Sequence, residues 1–204
     1  MSFKQNYNPN IKAKPGYYKG IWMDAATERK TAQALDNFGI KWKYHPSEPG
    51  YMLSNGLWYS PDFWLPDAKM YIECKDKPSP AAMGKAYGLV FDKEYPVLVI
   101  GYDWSKFFKY WYDMKPGELS DEDIEKMGGN PEIVCYSNEL FLARCRFCGK
   151  YWFVAVEDSY TCACCGEYDG DGIFDEIHDL DGINDLFRAG QERAASKYEK
   201  YCKR

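Results

Sequence analysis

Histidine is scarce in this chain, with 2 among 204 residues. Neither His45 nor His178 has a nucleophile or a metal-ligating partner visible in sequence, so both read as unremarkable. Long hydrophobic runs are missing too: no stretch reaches the 18 or so apolar residues that a membrane helix needs. The opening residues, MSFKQNYNPNIKAKPGYYKG, lack the apolar segment of a secretion signal. These absences lead us to expect a soluble, cytoplasmic protein with no membrane partner. Internal repeats are lacking, and so is low-complexity sequence beyond one acidic stretch. What is present suffices for a packed core: 46% of residues are hydrophobic and 18% aromatic, which excludes a disordered chain.

The net charge of −5 hides an uneven spread. Residues 1–117 hold 16 Lys+Arg against 12 Asp+Glu, whereas residues 118–204 hold 10 against 19. The asymmetry suggests two functional halves, with polyanion contact better suited to the first. Residues 1–20 interleave lysines with tyrosines, and Pro9, Pro15 and Gly16 discourage regular structure there. We expect a flexible basic arm, with Lys14 and Lys19 as candidate nucleic-acid contacts.

Residues 22–38 read as a helix that stops at Gly39. Ala25, Glu28, Ala32 and Leu35 follow one face, which puts Glu28 in the stripe that should pack on the core. IKWKYHP, LWYSPDFWLP and KMYIECKDK then read as three strands. SPAAMGKAYGLVFDKE follows as a helix with Ser79 as its candidate N-cap, and YPVLVIGY suits a strand buried on both faces. Helix, three strands, helix, strand implies an α/β fold with a mixed sheet.

Alternate side chains of a strand share a face, so Glu73 and Lys75 project together while Cys74 projects oppositely. A hairpin brings Asp62, just after Pro61, beside Glu73. Carboxylates gathered in this way are costly unless something neutralises them, and a divalent cation does so. Asp62, Glu73 and the backbone carbonyl of Cys74 offer hard oxygen ligands for Mg²⁺ or Mn²⁺. Such an ion polarises a phosphodiester and acidifies water, while a neighbouring lysine orients water and offsets developing charge.

SPDFWLPDAKMYIECKDK resembles the signature of the PD-(D/E)XK nuclease superfamily, with Pro61-Asp62 as the PD and Glu73-Cys74-Lys75 as the E-x-K. The resemblance covers residues 22–102, and the expected element order is similar to that superfamily's restriction-endonuclease-like αβββαβ core. It implies Asp62 and Glu73 as metal ligands, Lys75 as the catalytic lysine and Glu28 as an accessory acid. The helix after the lysine has no glutamine, a departure from processive members that favours an endonuclease. Lys85 on that helix is a further candidate phosphate contact. By the same resemblance the protein would process DNA in a phage or a prokaryotic cell, on structured or branched substrates, and paired-strand cleavage would call for a homodimer.

Cys145-x2-Cys148 and Cys162-x2-Cys165, each followed by glycine and separated by thirteen residues, have the spacing of two metal knuckles. Four thiolates make a closed tetrahedral site that suits structural Zn²⁺, with iron the lesser option for the same ligands, and the segment resembles a zinc ribbon. Cys164 lies inside the second knuckle and competes for register. Arg144, Arg146 and Lys150 are candidate phosphate contacts, and a replication or transcription protein is the other partner such a ribbon suits. Residues 169–182 read as a solvated acidic loop and residues 183–202 as a closing helix.

The expected division is a basic arm (1–20), a nuclease core (21–117), a linker (118–138) and a zinc-ribbon unit (139–204). The expected function is Mg²⁺-dependent hydrolysis of DNA phosphodiesters. The alternative is a non-catalytic, zinc-containing module on a nuclease-like fold that binds nucleic acid or protein.

Overall fold

The computed structural model describes residues 14–47, 50–54, 56–75, 80–101, 140–155, 160–180 and 182–202. The arm before residue 14, Ser79, the linker 118–138 and Cys135 lie outside the described residues.

The chain enters through a hairpin of β1 (Gly16–Tyr18) and β2 (Ile21–Met23). Part of the segment expected as a flexible arm is therefore a strand, and the first helix starts later than its sequence pattern suggested. Lys19 at φ 49° and Gly20 at φ 81° make the turn, and cross-strand pairing outweighs the nearby Pro15 and Gly16. Helix α1 (Ala26–Phe38) has no side-chain cap from Ala25. Instead Glu28, in its first turn, reaches back to accept the Asp24 amide at 2.9 Å. Gly39 ends the helix at φ 74°, and the Ile40 amide returns to the Leu35 carbonyl at 2.9 Å.

The central sheet has the order β3-β6-β7-β8, with strands β3 (Lys43–Tyr44), β6 (Phe63–Leu65), β7 (Met70–Cys74) and β8 (Val97–Ile100). β3 pairs antiparallel with β6 and β6 with β7, whereas β7 and β8 are parallel, joined through helix α2 (Pro80–Lys93). The fold is thus mixed α/β with a mixed sheet. The expected single strand over LWYSPDFWLP is broken in two. Its first part, β5 (Trp58–Tyr59), pairs with β4 (Tyr51–Met52) in a separate hairpin. All residues of β7 and β8 are buried, as a central position demands.

A second sheet has the order β10-β9-β11, formed by β9 (Leu140–Cys145), β10 (Tyr151–Ala155) and β11 (Phe174–Leu180). Much of the acidic segment expected as a loop is β11, preceded by a 3-10 turn at Gly170–Ile173. Its side chains alternate, so Asp175 and Asp179 face solvent while Glu176 and His178 turn inward.

Helix α3 (Ile183–Cys202) packs against α1, and a Cβ at Gly190 would sit 3.2 Å from Ala34 Cα. The two sheets share one buried core: Phe38 of α1 meets Tyr151 of β10 with ring centroids 5.1 Å apart. The Ile183 amide bonds the Gly101 carbonyl just past β8 at 2.9 Å. This double packing explains why α1 buries Thr27, Glu28, Thr31, Ala32, Ala34, Leu35 and Phe38, wider than the stripe read from sequence. No helix among the described residues is long and apolar enough to cross a membrane.

Candidate acidic site and cysteine metal centre

Phe63 lies opposite Ile72 in the β6–β7 ladder, and continuing that register by one residue sets Asp62 against Glu73. Both carboxylates are buried, with Asp62 7% and Glu73 3% exposed, and Glu28 of α1 is 6% exposed. Each has its own donor. Asp62 Oδ2 accepts the Cys74 amide at 2.7 Å, Glu73 Oε2 accepts the Tyr59 hydroxyl at 3.0 Å, and Glu28 Oε2 accepts the Tyr44 hydroxyl at 2.6 Å. Lys75 Nζ pairs with Glu73 Oε1.

Burial, reinforced by the charges of Glu73 and Glu28, pushes the Asp62 carboxyl well above the usual carboxylate range; the Cys74 amide and Lys75 oppose this incompletely. Burial by itself would lower the Lys75 ammonium, but Glu73 and Asp62 together hold it above its ordinary value. The site therefore keeps its lysine charged while its central aspartate resists ionisation. Three carboxylates and one ammonium leave two negative charges uncompensated when all are ionised, the charge that a divalent cation supplies. Ser60 Oγ, two residues before Asp62, is buried without a hydrogen-bond partner among the described residues. The charge balance fits an oxygen-liganded ion at Asp62 and Glu73. The carboxylates do not already close around a point as tightly as the cysteines described below.

Sequence reasoning brought together Asp62, Glu73 and Lys75, with Glu28 nearby, and missed the residues that hold them. Tyr44 and Tyr59 are aromatic strand residues, indistinguishable by pattern from core. His45, read as unremarkable, has φ 42°, stacks on Tyr44 with centroids 3.9 Å apart, and places Nε2 3.9 Å from Asp62 Oδ1. Its backbone amide also bonds the Asp62 carbonyl at 2.9 Å. The Cys74 side chain turns away, its buried thiol donating to Thr31 Oγ1 at 3.4 Å.

Among the described residues, the four cysteines are the one group of three or more His, Cys, Asp or Glu side chains whose ligand atoms lie within 4.8 Å of one another. Cys145 and Cys165 sulfurs are 3.9 Å apart, and Cys148 and Cys162 sulfurs 3.8 Å. Zinc–sulfur bonds of about 2.3 Å in a tetrahedron place sulfurs about 3.8 Å apart, so the cluster is compatible with structural zinc. The two knuckles repeat one geometry. Gly149 (φ 69°) and Gly166 (φ 79°) each return an amide to the first cysteine's carbonyl at 2.8 Å. Cys164 stands outside the set, its sulfur 3.9 Å from the Tyr151 carbonyl.

The candidate phosphate contacts are largely engaged with carboxylates. Arg144 pairs with Asp175 at 2.7 Å, Arg146 with Asp169, Lys150 with Asp67 at 3.1 Å and Lys19 with Asp36 at 2.7 Å. The Lys14 carbonyl accepts from Arg29, its side chain is exposed, and Lys85 is half-buried on α2. The acidic segment that sequence set apart supplies the partners of both arginines.

Comparisons with family models, with curated proteins and with solved structures give no match. The acidic site stands on its own geometry.

Proposed function

We propose that the protein is a divalent-metal-dependent nuclease that hydrolyses DNA phosphodiesters on a restriction-endonuclease-like core. The observation that carries this reading is the burial of Asp62 and Glu73 beside the Lys75 ammonium, with the buried Glu28 carboxylate near enough to act on Asp62. Folding rarely buries three carboxylates with so little compensation unless function requires it. The order α1, β3, β6, β7, α2, β8 in one mixed sheet supports the αβββαβ resemblance.

A Mg²⁺ or Mn²⁺ ion held by Asp62 and Glu73 would supply Lewis-acid polarisation of the phosphate and a more acidic water. The chain's own residues do the rest. The Cys74 amide fixes Asp62, and Tyr59 fixes the rotamer of Glu73. Tyr44 holds Glu28 at the edge of the group. Lys75, kept protonated by Glu73, offers positive charge to the phosphate as negative charge grows on it. The cysteine centre, remote in sequence from these acids, stabilises the second sheet.

The test is cleavage of supercoiled, linear and branched DNA with Mg²⁺, with Mn²⁺ and with chelator. Wild type should cleave only with metal, and Glu73→Gln and Lys75→Ala should each lose about 10²-fold or more. Absence of cleavage on every substrate, or variants as active as wild type, would return the protein to the class of non-catalytic binding modules.

A further inference from the structure

Two hairpins beside the acidic site turn bare apolar faces outward, each carrying a tryptophan. In the first, Tyr17 lies opposite Trp22, edge to face with centroids 5.0 Å apart, and the two are 71% and 49% exposed. In the second, Met52 lies opposite Trp58 and both are more than half exposed, with Leu57 beside them. Large apolar side chains grouped this way on a monomer's surface mark a contact site.

Each hairpin is fastened to one of the acids. The Asp24 amide, one residue beyond β2, donates to Glu28, and Tyr59, the residue after Trp58, donates to Glu73. The inner residue Tyr51 also bonds Tyr71 on β7, hydroxyl to hydroxyl at 3.1 Å. Both hairpins are therefore held relative to the carboxylates, the first through Glu28 and the second through Glu73. Lys93 places an ammonium 4.6 Å from the Tyr51 ring, a cation for a phosphate beside the second hairpin.

Charge narrows the occupant. Duplex DNA is held chiefly by lysine and arginine that neutralise phosphates. Of the candidate phosphate contacts, Lys19, Arg144, Arg146 and Lys150 are each paired with an aspartate, which leaves Lys14 and Lys85, and the phosphate contribution is smaller for a single strand than for a duplex. Bases inside a duplex are stacked on one another and cannot reach a tryptophan face. Unpaired bases can, and stacking on aromatic side chains binds them with little regard to sequence.

We infer that the protein takes its DNA substrate as an unpaired strand, with bases stacked on Trp22 and Trp58 on either hairpin. This rests on the nuclease reading and adds the substrate class to it.

The experiment measures binding apart from cleavage. The full chain is titrated in chelator with labelled oligo(dT) of about 15 nucleotides and with a blunt duplex of equal length, by anisotropy and tryptophan fluorescence. The expected result is oligo(dT) bound at least about tenfold more tightly than duplex, with tryptophan quenching. Trp22→Ala and Trp58→Ala should each weaken oligo(dT) binding by about 5- to 150-fold while melting as wild type does. Arg146→Ala, whose guanidinium is already paired, should leave it within about twofold. Duplex bound as tightly as single strand, or folded tryptophan variants with unchanged affinity, would overturn the inference. So would a dimer in solution that Trp22→Ala or Trp58→Ala dissolves, since a second copy would then own these faces. Metal-dependent cleavage of duplex without single-strand binding would sink this inference and keep the nuclease; single-strand binding without cleavage would do the reverse.

Discussion

Tyr59 donates its hydroxyl proton to Glu73 Oε2 at 3.0 Å, joining the β4–β5 hairpin to the middle of the central sheet. The contact is buried, and Glu73's other oxygen is taken by Lys75. Burial and the Glu73 carboxylate push the phenol well above its ordinary pKa, so Tyr59 remains a donor at any working pH.

Tyr59→Phe keeps the ring and removes only the donor. A hydrogen bond to a buried charge contributes about 1.5–3 kcal/mol, so we expect a stability loss of that order in urea unfolding. Cleavage should fall more through kcat than through KM, because Glu73 loses its fixed rotamer. Unchanged stability and kcat would show that the hydroxyl does nothing for Glu73.

The Asp62 carboxyl, raised in the folded state, gives stability a definite pH dependence. The folded chain holds this proton more tightly than the unfolded chain. Its contribution is full below the ordinary carboxylate pKa and is lost as pH rises through the folded value. Asp62→Asn should therefore stabilise the metal-free protein at neutral pH and flatten this part of the profile. The gain is about 2–4 °C in Tm for each kcal/mol recovered. Added Mg²⁺ should raise the Tm of wild type and leave that of Asp62→Asn unchanged. A destabilised, still Mg²⁺-responsive variant would contradict both expectations.

The cysteine centre predicts one zinc per chain by elemental analysis. Cys148→Ser or Cys162→Ser should abolish that stoichiometry and lower Tm, whereas Cys164→Ser should keep it. Because Tyr151 of β10 packs on Phe38 of α1, zinc loss should be felt beneath the central sheet as well. Slower amide exchange in α1 of the holo protein than of the chelated one would show the coupling.

Gly190 sits mid-helix where α3 crosses α1. A Cβ there would meet Ala34 Cα at 3.2 Å and Ala34 Cβ at 3.4 Å. Gly190→Val adds bulk against backbone that cannot yield, so a cost of about 1–3 kcal/mol is expected by chemical denaturation. Arg188 on the same helix serves as the control. It is exposed and pairs with Asp185 on the same helix, so Arg188→Ala should cost under about 0.5 kcal/mol.

The acid–lysine group and the cysteine knuckles were legible because their geometry is local. Residues two apart on a strand share a face, so Glu73 and Lys75 meet wherever the strand lies. Cysteines three apart with a following glycine fold back on themselves, and Gly149 and Gly166 do so in the same way. Helices α1, α2 and α3 and the apolar strand β8 were legible for the same reason. The partners were not. Tyr44 and Tyr59 reach Glu28 and Glu73 from 16 and 14 residues away, across pairings that no short pattern encodes.

Sequence by itself determined which chemical groups this protein has and which near neighbours share a side: the carboxylates, the lysine and the four thiolates. Tertiary structure alone decided that Asp62 would be pressed by Glu73 and Glu28, that Arg144 and Arg146 would be neutralised by the acidic segment, and that both sheets would share one core. The reason is physical. Side-chain direction follows from local backbone period, but burial, charge pairing and pKa depend on what distant segments bring to within a few ångströms.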